Sequence, residues 1–154
     1  MLQEAGQIST PGLVKLNSIR VLRLYLKDLM STYEKETDLY GEKVGRLMRI
    51  LEENRKGKDV KKLKDVEWKR SGMVMLSTKE PGRGTLELLI EAMEDCKAKA
   101  ARTAEVLANI DELEKLGISE RAGILVYLRH GVPLRIVVDA ERNPEVDELI
   151  TPIA

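Results

Sequence analysis

Apolar side chains recur at steps of three and four between Ile19 and Leu51. This spacing predicts one face of a helix that runs from about residue 12 to about residue 56. Thr10 followed by Pro11 is typical of an N-cap and a first helical position. A single helix cannot bury such a face, so we expect a second helix or a second chain against it. The face comprises Ile19, Leu22, Leu26, Leu29, Tyr33, Thr37, Tyr40, Val44, Leu47 and Leu51.

A second helical period extends from about residue 85 to residue 116, and Gly117 is a typical stop. Its apolar positions follow a heptad pattern whose middle is small, at Cys96, Ala100 and Thr103. The tyrosines of the first helix would fit against these small residues, which favours an antiparallel helical hairpin. Between the two helices, residues 58–70 are expected to form a short basic helix.

The last 37 residues have a different pattern. We expect three short helices, at about 119–129, 134–140 and 145–150, the last with Asn143 as N-cap and Pro144 in its first turn. The stretch from Tyr127 to Arg135 resembles the first two helices of a helix-turn-helix motif. A strand over residues 135–139 is the alternative, because Ile136-Val137-Val138 is β-branched.

These patterns predict an all-α fold, a long antiparallel helical hairpin with a small C-terminal appendage that is helical and helix-turn-helix-like. The expected domains are residues 1–117, with a basic connector at about 57–84, and residues 118–154. Because the first apolar face is longer than the second helix, part of it should be buried by another chain. The expected oligomer interface comprises Leu22, Leu26, Leu29, Tyr33 and Tyr40.

Composition agrees with a helical protein. The 154 residues include 26 basic and 26 acidic side chains, one Trp and no Phe, which is a poor supply for a β-sandwich or barrel. No apolar run approaches the roughly 20 residues of a membrane span, and no signal segment opens the chain. We therefore expect a protein of the cytoplasm or of a virion that is not secreted. Frequent Glu, Lys and Arg resemble the usage of thermophiles.

The chain carries few residues suited to catalysis or metal binding. His130 and Cys96 are the only residues of their types, which is too few for a usual zinc ligand set. We expect His130 at a helix end and Cys96 as a small buried residue. The glycines at 82 and 84 do not complete a phosphate-binding loop motif, although an anion at the following helix N-terminus is an alternative to a simple turn. These residues predict a protein that is not an enzyme and has neither a metal ion nor a cofactor.

Basic residues are concentrated in the first half of the chain. Residues 1–77 carry 16 basic and 11 acidic side chains, whereas residues 78–154 carry 10 and 15. Between residues 43 and 70 there are eleven basic groups and five acidic ones. Such a cluster can bind nucleic-acid phosphates without reading sequence, and a solvated helix end is the alternative. The candidate nucleic-acid-binding residues are Arg49, Arg55, Lys56, Lys58, Lys61, Lys62, Lys64, Trp68, Lys69 and Arg70.

The function expected from the sequence is that of a structural protein that assembles with copies of itself or with a related subunit. In its sharper form this is a nucleic-acid-packaging subunit, such as the coat protein of a helical filament. The alternative is a helix-turn-helix adaptor or transcription regulator that dimerises through its long helices, and an enzyme built from distant carboxylates comes third. Glu145, Asp147 and Glu148 argue against a helix that reads DNA, because they would face the phosphates.

Overall fold

The computed structural model describes residues 10–54, 66–139, 141 and 143–150. Of the described residues, 57% are in helices and 20% are in strands, and the strands form two antiparallel sheets. The expectation of an all-α fold is therefore wrong, because the described chain is mixed α and β. In chain order the elements are β1 (Leu13–Leu16), α1 (Ile19–Glu53), β2 (Lys69–Ser71), β3 (Val74–Leu76), α2 (Pro81–Lys115), β4 (Gly123–Arg129), β5 (Val132–Asp139) and α3 (Pro144–Asp147).

By their internal contacts the residues divide into two compact units. Unit 1 comprises Met1–Thr32 together with Lys99–Ala154, and unit 2 comprises Tyr33–Ala98. Each long helix therefore contributes one segment to each unit. The domain boundary expected at residue 117 is not tested by this division and stays a prediction.

Unit 1 contains a three-stranded antiparallel sheet in the order β1-β4-β5. One face of this sheet is part of the core, where Leu16 lies opposite Ile124 and Val14 lies opposite Val126. Val138 and Ile136 of β5 continue the same face in register with β4. Alternation between buried and exposed positions is what a sheet with only one buried face requires.

The first strand occupies residues that were expected to begin the helix. Gly12 has a φ of 81°, which favours glycine, and its carbonyl oxygen accepts a 2.7 Å hydrogen bond from the backbone N–H of Leu128. The N-cap of α1 is Ser18 rather than Thr10, since the Ser18 hydroxyl accepts from the backbone N–H of Val21 at 3.1 Å. Pairing with β4 therefore overrides the helical start suggested by Pro11.

Residues 123–139 form a β-hairpin in place of the first two of the three short helices expected in the tail. His130 and Gly131 have φ values of 54° and 76°, so both central residues of a two-residue turn are left-handed, as in a type I′ turn. The strand alternative for residues 135–139 is confirmed, and the helix-turn-helix reading of Tyr127 to Arg135 is wrong. Asn143 does cap α3, its side chain accepting from the Glu145 N–H at 3.0 Å, but this helix ends at residue 147.

The core of unit 1 joins the sheet to segments of both long helices. Fully buried side chains from these elements are Leu16, Ile19, Leu22, Leu26, Ile110, Ile124 and Val126. At the edge of this core Arg23 of α1 donates to Asp111 at 2.6 Å and to Glu114 at 3.2 Å on α2. The hydrogen bond to Asp111, and to a smaller extent the one to Glu114, raises the pKa of Arg23 above its ordinary value.

In unit 2, residues 33–53 of α1 and residues 81–98 of α2 run antiparallel to each other. A β-carbon placed on Gly41 would lie 3.6 Å from the Sδ of Met93, and one on Gly82 would lie 2.8 Å from Leu51. Residues further along α1 therefore contact residues earlier along α2, as in an antiparallel pair of helices. Cys96, at 3.6 Å from the Glu36 carboxylate, belongs to the same series of contacts and is buried.

The connector contains a second hairpin. β2 and β3 pair with Ser71 opposite Val74, and Gly72, with a φ of 64°, begins the two-residue turn between them. The basic helix expected over residues 58–70 is wrong from residue 66 onward, because residues 66–68 are irregular and β2 follows. Its first part lies outside the described residues. α2 begins at Pro81, four residues before its expected start, and Gly117 follows its end with a φ of 77°.

Candidate nucleic-acid interface

Three basic side chains lie on the last turns of α1 in unit 2. Lys43, Arg46 and Arg49 are all exposed, and none has an ion-pair partner among residues 10–54, 66–139, 141 and 143–150. Spacings of three residues keep neighbouring members of this set on the same side of a helix. Of the three, only Arg49 was in the expected binding set, whereas Lys43 and Arg46 entered only through the charge count of residues 43–70.

Two further cations begin the β2–β3 hairpin. Lys69 and Arg70 are exposed, and the part of the chain that the structure describes provides neither with an ion-pair partner. Two other cations of unit 2 do have acidic partners, since Lys79 lies 3.1 Å from Glu67 and Arg83 lies 3.6 Å from Glu80. The positive charge of Lys69 and Arg70 is thus available to an anionic ligand.

Trp68 joins the hairpin to α2. Its indole Nε1 donates a 2.5 Å hydrogen bond to Oε2 of Glu87. Glu87 lies on α2 between Gly82, which is close to Leu51, and the Met93 that lies close to Gly41. Trp68 is therefore held at the level of α1 residues 41–51, which is the segment that carries Lys43, Arg46 and Arg49.

The remaining expected binding residues are in the segment that connects these two groups of cations. Residues 55–65 join the end of α1 to the start of the hairpin. Six of the expected residues lie in this segment and so lie outside the described residues: Arg55, Lys56, Lys58, Lys61, Lys62 and Lys64. The described cations consequently stand at both ends of a segment with six more cations and two carboxylates, Asp59 and Asp65. We name Lys43, Arg46, Arg49, Lys69 and Arg70 the basic end of unit 2.

This arrangement is suited to phosphates more than to base edges. Lys and Arg side chains on a helix and a hairpin can neutralise a phosphate backbone, and such contacts are independent of nucleotide sequence. Trp68 is half-buried and its only hydrogen-bond donor on the ring is engaged by Glu87. In this structure Trp68 therefore positions the hairpin through its hydrogen bond to Glu87.

The residues expected at the oligomer interface are mostly inside the chain. Leu22 and Leu26 are 0% exposed in the core of unit 1, and Tyr33 is 8% exposed in unit 2. Leu29 and Tyr40 are half-buried. In this conformation Leu22, Leu26 and Tyr33 have almost no surface to offer to another chain, because helix and sheet residues of the same chain already cover the apolar face of α1.

The sheet of unit 1 has an apolar cleft on the face opposite the core. Its volume is about 230 Å³, and its walls include Leu125 and Val137 of the sheet and Val146 and Ile150 from the C-terminal segment. Lys15 and Asp139 also line it. The sequence pattern does not indicate this cleft, because its walls come together only when residues of β1, β4 and β5 form one sheet.

Groups suited to metal or acid–base chemistry are not brought together in the described residues. No group of three or more His, Cys, Asp or Glu side chains is arranged there to hold a metal ion. His130 lies in an exposed turn of unit 1, whereas Cys96 is buried in unit 2, with its thiol beside Glu36.

Comparison of the chain with protein-family models, with curated proteins and with solved structures finds no match. Within the described residues no helix is long and apolar enough to cross a membrane. Function is therefore inferred from the charges, contacts and exposed surfaces described above.

Proposed function

We propose that this chain is a non-enzymatic structural protein that binds nucleic acid through its phosphates and assembles with copies of itself. Its sharper form is a packaging subunit, such as the coat protein of a nucleic-acid filament. The observation that carries the proposal is the basic end of unit 2, five exposed cations without acidic partners among the described residues. They flank a segment that contributes six more cations.

The magnitude of this charge supports binding without sequence preference. Each phosphate that a cation neutralises releases counterions, so several cations along one segment give an affinity that falls steeply with salt. The net charge of the whole chain is zero, so attraction must be local to this region. A structural protein that covers nucleic acid along its length needs this kind of contact, because it has to accept every sequence.

The regulator alternative has less support. A helix-turn-helix protein places a recognition helix in the major groove. Residues 123–139 form a β-hairpin, and α3 is only four residues long, with the exposed carboxylate of Glu145 in its first turn. A helix of one turn with a carboxylate in it is repelled by phosphates and is too short to serve as a recognition helix.

The test is binding of a labelled duplex and a labelled single strand, measured by fluorescence anisotropy between 20 and 300 mM salt, values chosen to span roughly a decade of ionic strength. Replacing Lys69 and Arg70 by Gln should weaken both nucleic acids alike. The slope of log affinity against log salt should fall by about 0.9 for each phosphate contact that is lost on the duplex. The quadruple Gln variant of Lys58, Lys61, Lys62 and Lys64 should lower the slope further.

The matched control removes two cations of α2, which lie outside the basic end of unit 2. Lys97 and Arg102 are exposed, and the Gln variants of these residues change the net charge by the same amount. If the control lowers the slope as much as the Lys69 and Arg70 variant, binding depends on net charge and the basic end is not the interface. The packaging proposal is wrong if two results occur together. No nucleic acid binds at the lowest salt concentration, about 20 mM, and the assembled protein fails to protect a duplex from nuclease.

A further inference from the structure

One edge of the unit 1 sheet is formed by β5 and the other by β1. Within the described residues the strand order is β1-β4-β5, so β5 pairs with β4 on one side only. An edge strand presents backbone N–H and C=O groups that can pair with another strand. Natural edges usually carry features that prevent such pairing, and β5 has a proline and a bulge of this kind in its first half.

The first half of β5 is blocked in two ways. Pro133 has no backbone N–H to donate to a neighbouring strand. The register against β4 shifts between Tyr127 and Leu128, which pair with Arg135 and Pro133, so Leu134 is an extra residue in a bulge. Regular pairing from the free side of β5 is therefore confined to residues 135–139.

The second half of β5 is complementary to itself when it is turned antiparallel. Arg135 and Asp139 stand at equal distances from Val137 and have opposite charges. The three residues between them are β-branched, the type that packs best across strands. With Val137 opposite Val137 of a second copy, each Arg135 faces the partner's Asp139, and each Ile136 faces the partner's Val138. The neighbouring registers that keep the two core faces on the same side put Val137 opposite Arg135 or opposite Asp139, and both lose the charge pairs.

We propose that two copies of this chain pair through residues 135–139 of β5, antiparallel, about a two-fold axis at Val137. The pairing extends the three-stranded sheet to six strands across the dimer, with the core face of each copy on the same side. It rests on the self-assembly in the proposed function and names the surface that carries it.

Neighbouring residues are compatible with this contact. Val137 is 57% exposed, so it has area to bury against its counterpart. Val146 is 54% exposed and lines the cleft beside Val137, which adds apolar surface near the same edge. The carboxylate of Asp139 accepts from the Glu141 N–H at 3.1 Å, which orients it at the end of the strand, and a carboxylate has capacity for several further donors. A ladder of five residues is small for an interface, so we expect a dimer of modest affinity.

The first experiment reverses the charges. Sedimentation of the full-length chain, without nucleic acid, should show a concentration-dependent dimer. Arg135→Asp and Asp139→Arg each place like charges opposite one another twice per dimer, and each should weaken dimerisation by about tenfold. The double variant restores both pairs and should return the affinity to near that of the unaltered protein. If the single variants have no effect, or if the double variant remains as weak as they are, the proposed register is wrong.

The second experiment uses the self-opposed position at the axis. In a background with Cys96→Ala, only Val137→Cys brings two copies of the new thiol to facing positions, at about 4.5–5.5 Å between α-carbons. Arg135→Cys is the matched control, because its copies would lie about four residues apart along the strands, roughly 13 Å. Oxidation should produce a covalent dimer from the first variant only. Equal cross-linking of both, or of neither, overturns the proposal.

These outcomes separate the proposed interface from the proposed function. A chain that associates but is insensitive to residues 135, 137 and 139 assembles by another surface, which leaves the proposed function standing. A chain that is monomeric at every concentration contradicts both self-assembly and the β5 edge. The Arg135→Asp, Asp139→Arg double variant keeps the net charge, so its nucleic-acid salt slope should equal that of the unaltered protein.

Discussion

The indole Nε1 of Trp68 donates to the Glu87 carboxylate at 2.5 Å, across 19 residues of sequence. Hydrogen bonds to a charged acceptor are stronger than neutral ones, and this one connects the start of the β2–β3 hairpin to α2. Because Trp68 is the only tryptophan, fluorescence excited selectively at tryptophan, and not at the four tyrosines, reports the surroundings of this one indole.

We expect Glu87→Ala to release the indole and move the emission maximum to longer wavelength. Glu87→Gln keeps an acceptor oxygen and should move it less. Glu91→Ala, one turn further along α2 and exposed, is the control and should leave the emission unchanged. An unchanged maximum in Glu87→Ala would mean that this carboxylate does not hold Trp68 in solution.

The core of unit 1 predicts a large difference between two leucines on α1 that are two residues apart. Leu26 is 0% exposed in the cluster that includes Ile110 and Ile124, whereas Leu24 is 58% exposed. Leu26→Ala should lower the free energy of unfolding by about 2–5 kcal/mol, because it removes buried methyl groups and leaves a cavity. Leu24→Ala should change it by less than about 0.5 kcal/mol. Urea denaturation followed by circular dichroism measures the free energy of unfolding of both variants. Similar losses of stability in the two would contradict the finding that the Leu26 side of α1, and not the Leu24 side, faces the core.

The tip of the β2–β3 hairpin allows a gain-of-function test of the nucleic-acid proposal. Met73 is 100% exposed and follows Gly72 in the two-residue turn. Met73→Lys should leave stability within about 0.5 kcal/mol of the unaltered protein, since no buried contact is lost. It adds a cation beside Lys69 and Arg70, so the affinity for any duplex at low salt should rise. Met73→Gln is the uncharged control. A fall with both Gln and Lys would argue that the tip binds through apolar contact instead, and an equal rise with Gln would mean that the added charge is not the cause.

The long helices were predictable, whereas the first strand was not. The apolar face between Ile19 and Leu51 repeats over many turns, and its period identifies a helix without ambiguity. Leu13, Leu16 and Ile19 also follow steps of three, so β1 looks like the first turn of that helix. Only the pairing of Leu16 with Ile124, more than 100 residues away, assigns these residues to a strand, and a contact at that distance leaves no local pattern.

The hairpin in the tail did leave a local signal. The run from Ile124 to Leu128 is rich in residues that favour strands, as is Ile136 to Val138, and His130-Gly131 separates them by a two-residue turn. Histidine is among the non-glycine residues that tolerate positive φ, but Asn-Gly and Asp-Gly are the familiar signals. A helix over residues 119–129 with His130 at its end was the expectation instead.

The candidate binding site was partly predictable. Charge counting found the cations between residues 43 and 70, because density along the sequence is visible without structure. It could not show that Glu87 engages Trp68, which gives that residue a positioning role. The self-complementary edge at Arg135 to Asp139 is equally invisible until these residues are known to form an edge strand.

The final prediction compares two glycines with opposite backbone requirements. Gly45 lies inside α1, and a β-carbon there would meet nothing within 4 Å. Gly45→Ala should therefore raise the free energy of unfolding by about 0.5–1 kcal/mol, since alanine loses less entropy than glycine when it enters a helix. Gly12 has a φ of 81°, and its β-carbon would lie 3.3 Å from the Leu128 carbonyl oxygen.

Gly12→Ala should lower the free energy of unfolding by about 1–2 kcal/mol, because L-residues with a side chain are strained in this conformation. Replacing glycine by alanine should thus raise the free energy of unfolding at position 45 and lower it at position 12. Urea denaturation of the two variants measures both changes. A loss at position 45 would mean that another chain packs against this part of α1 in solution. No loss at position 12 would contradict the turn that leads into β1, and with it the first strand of the unit 1 sheet.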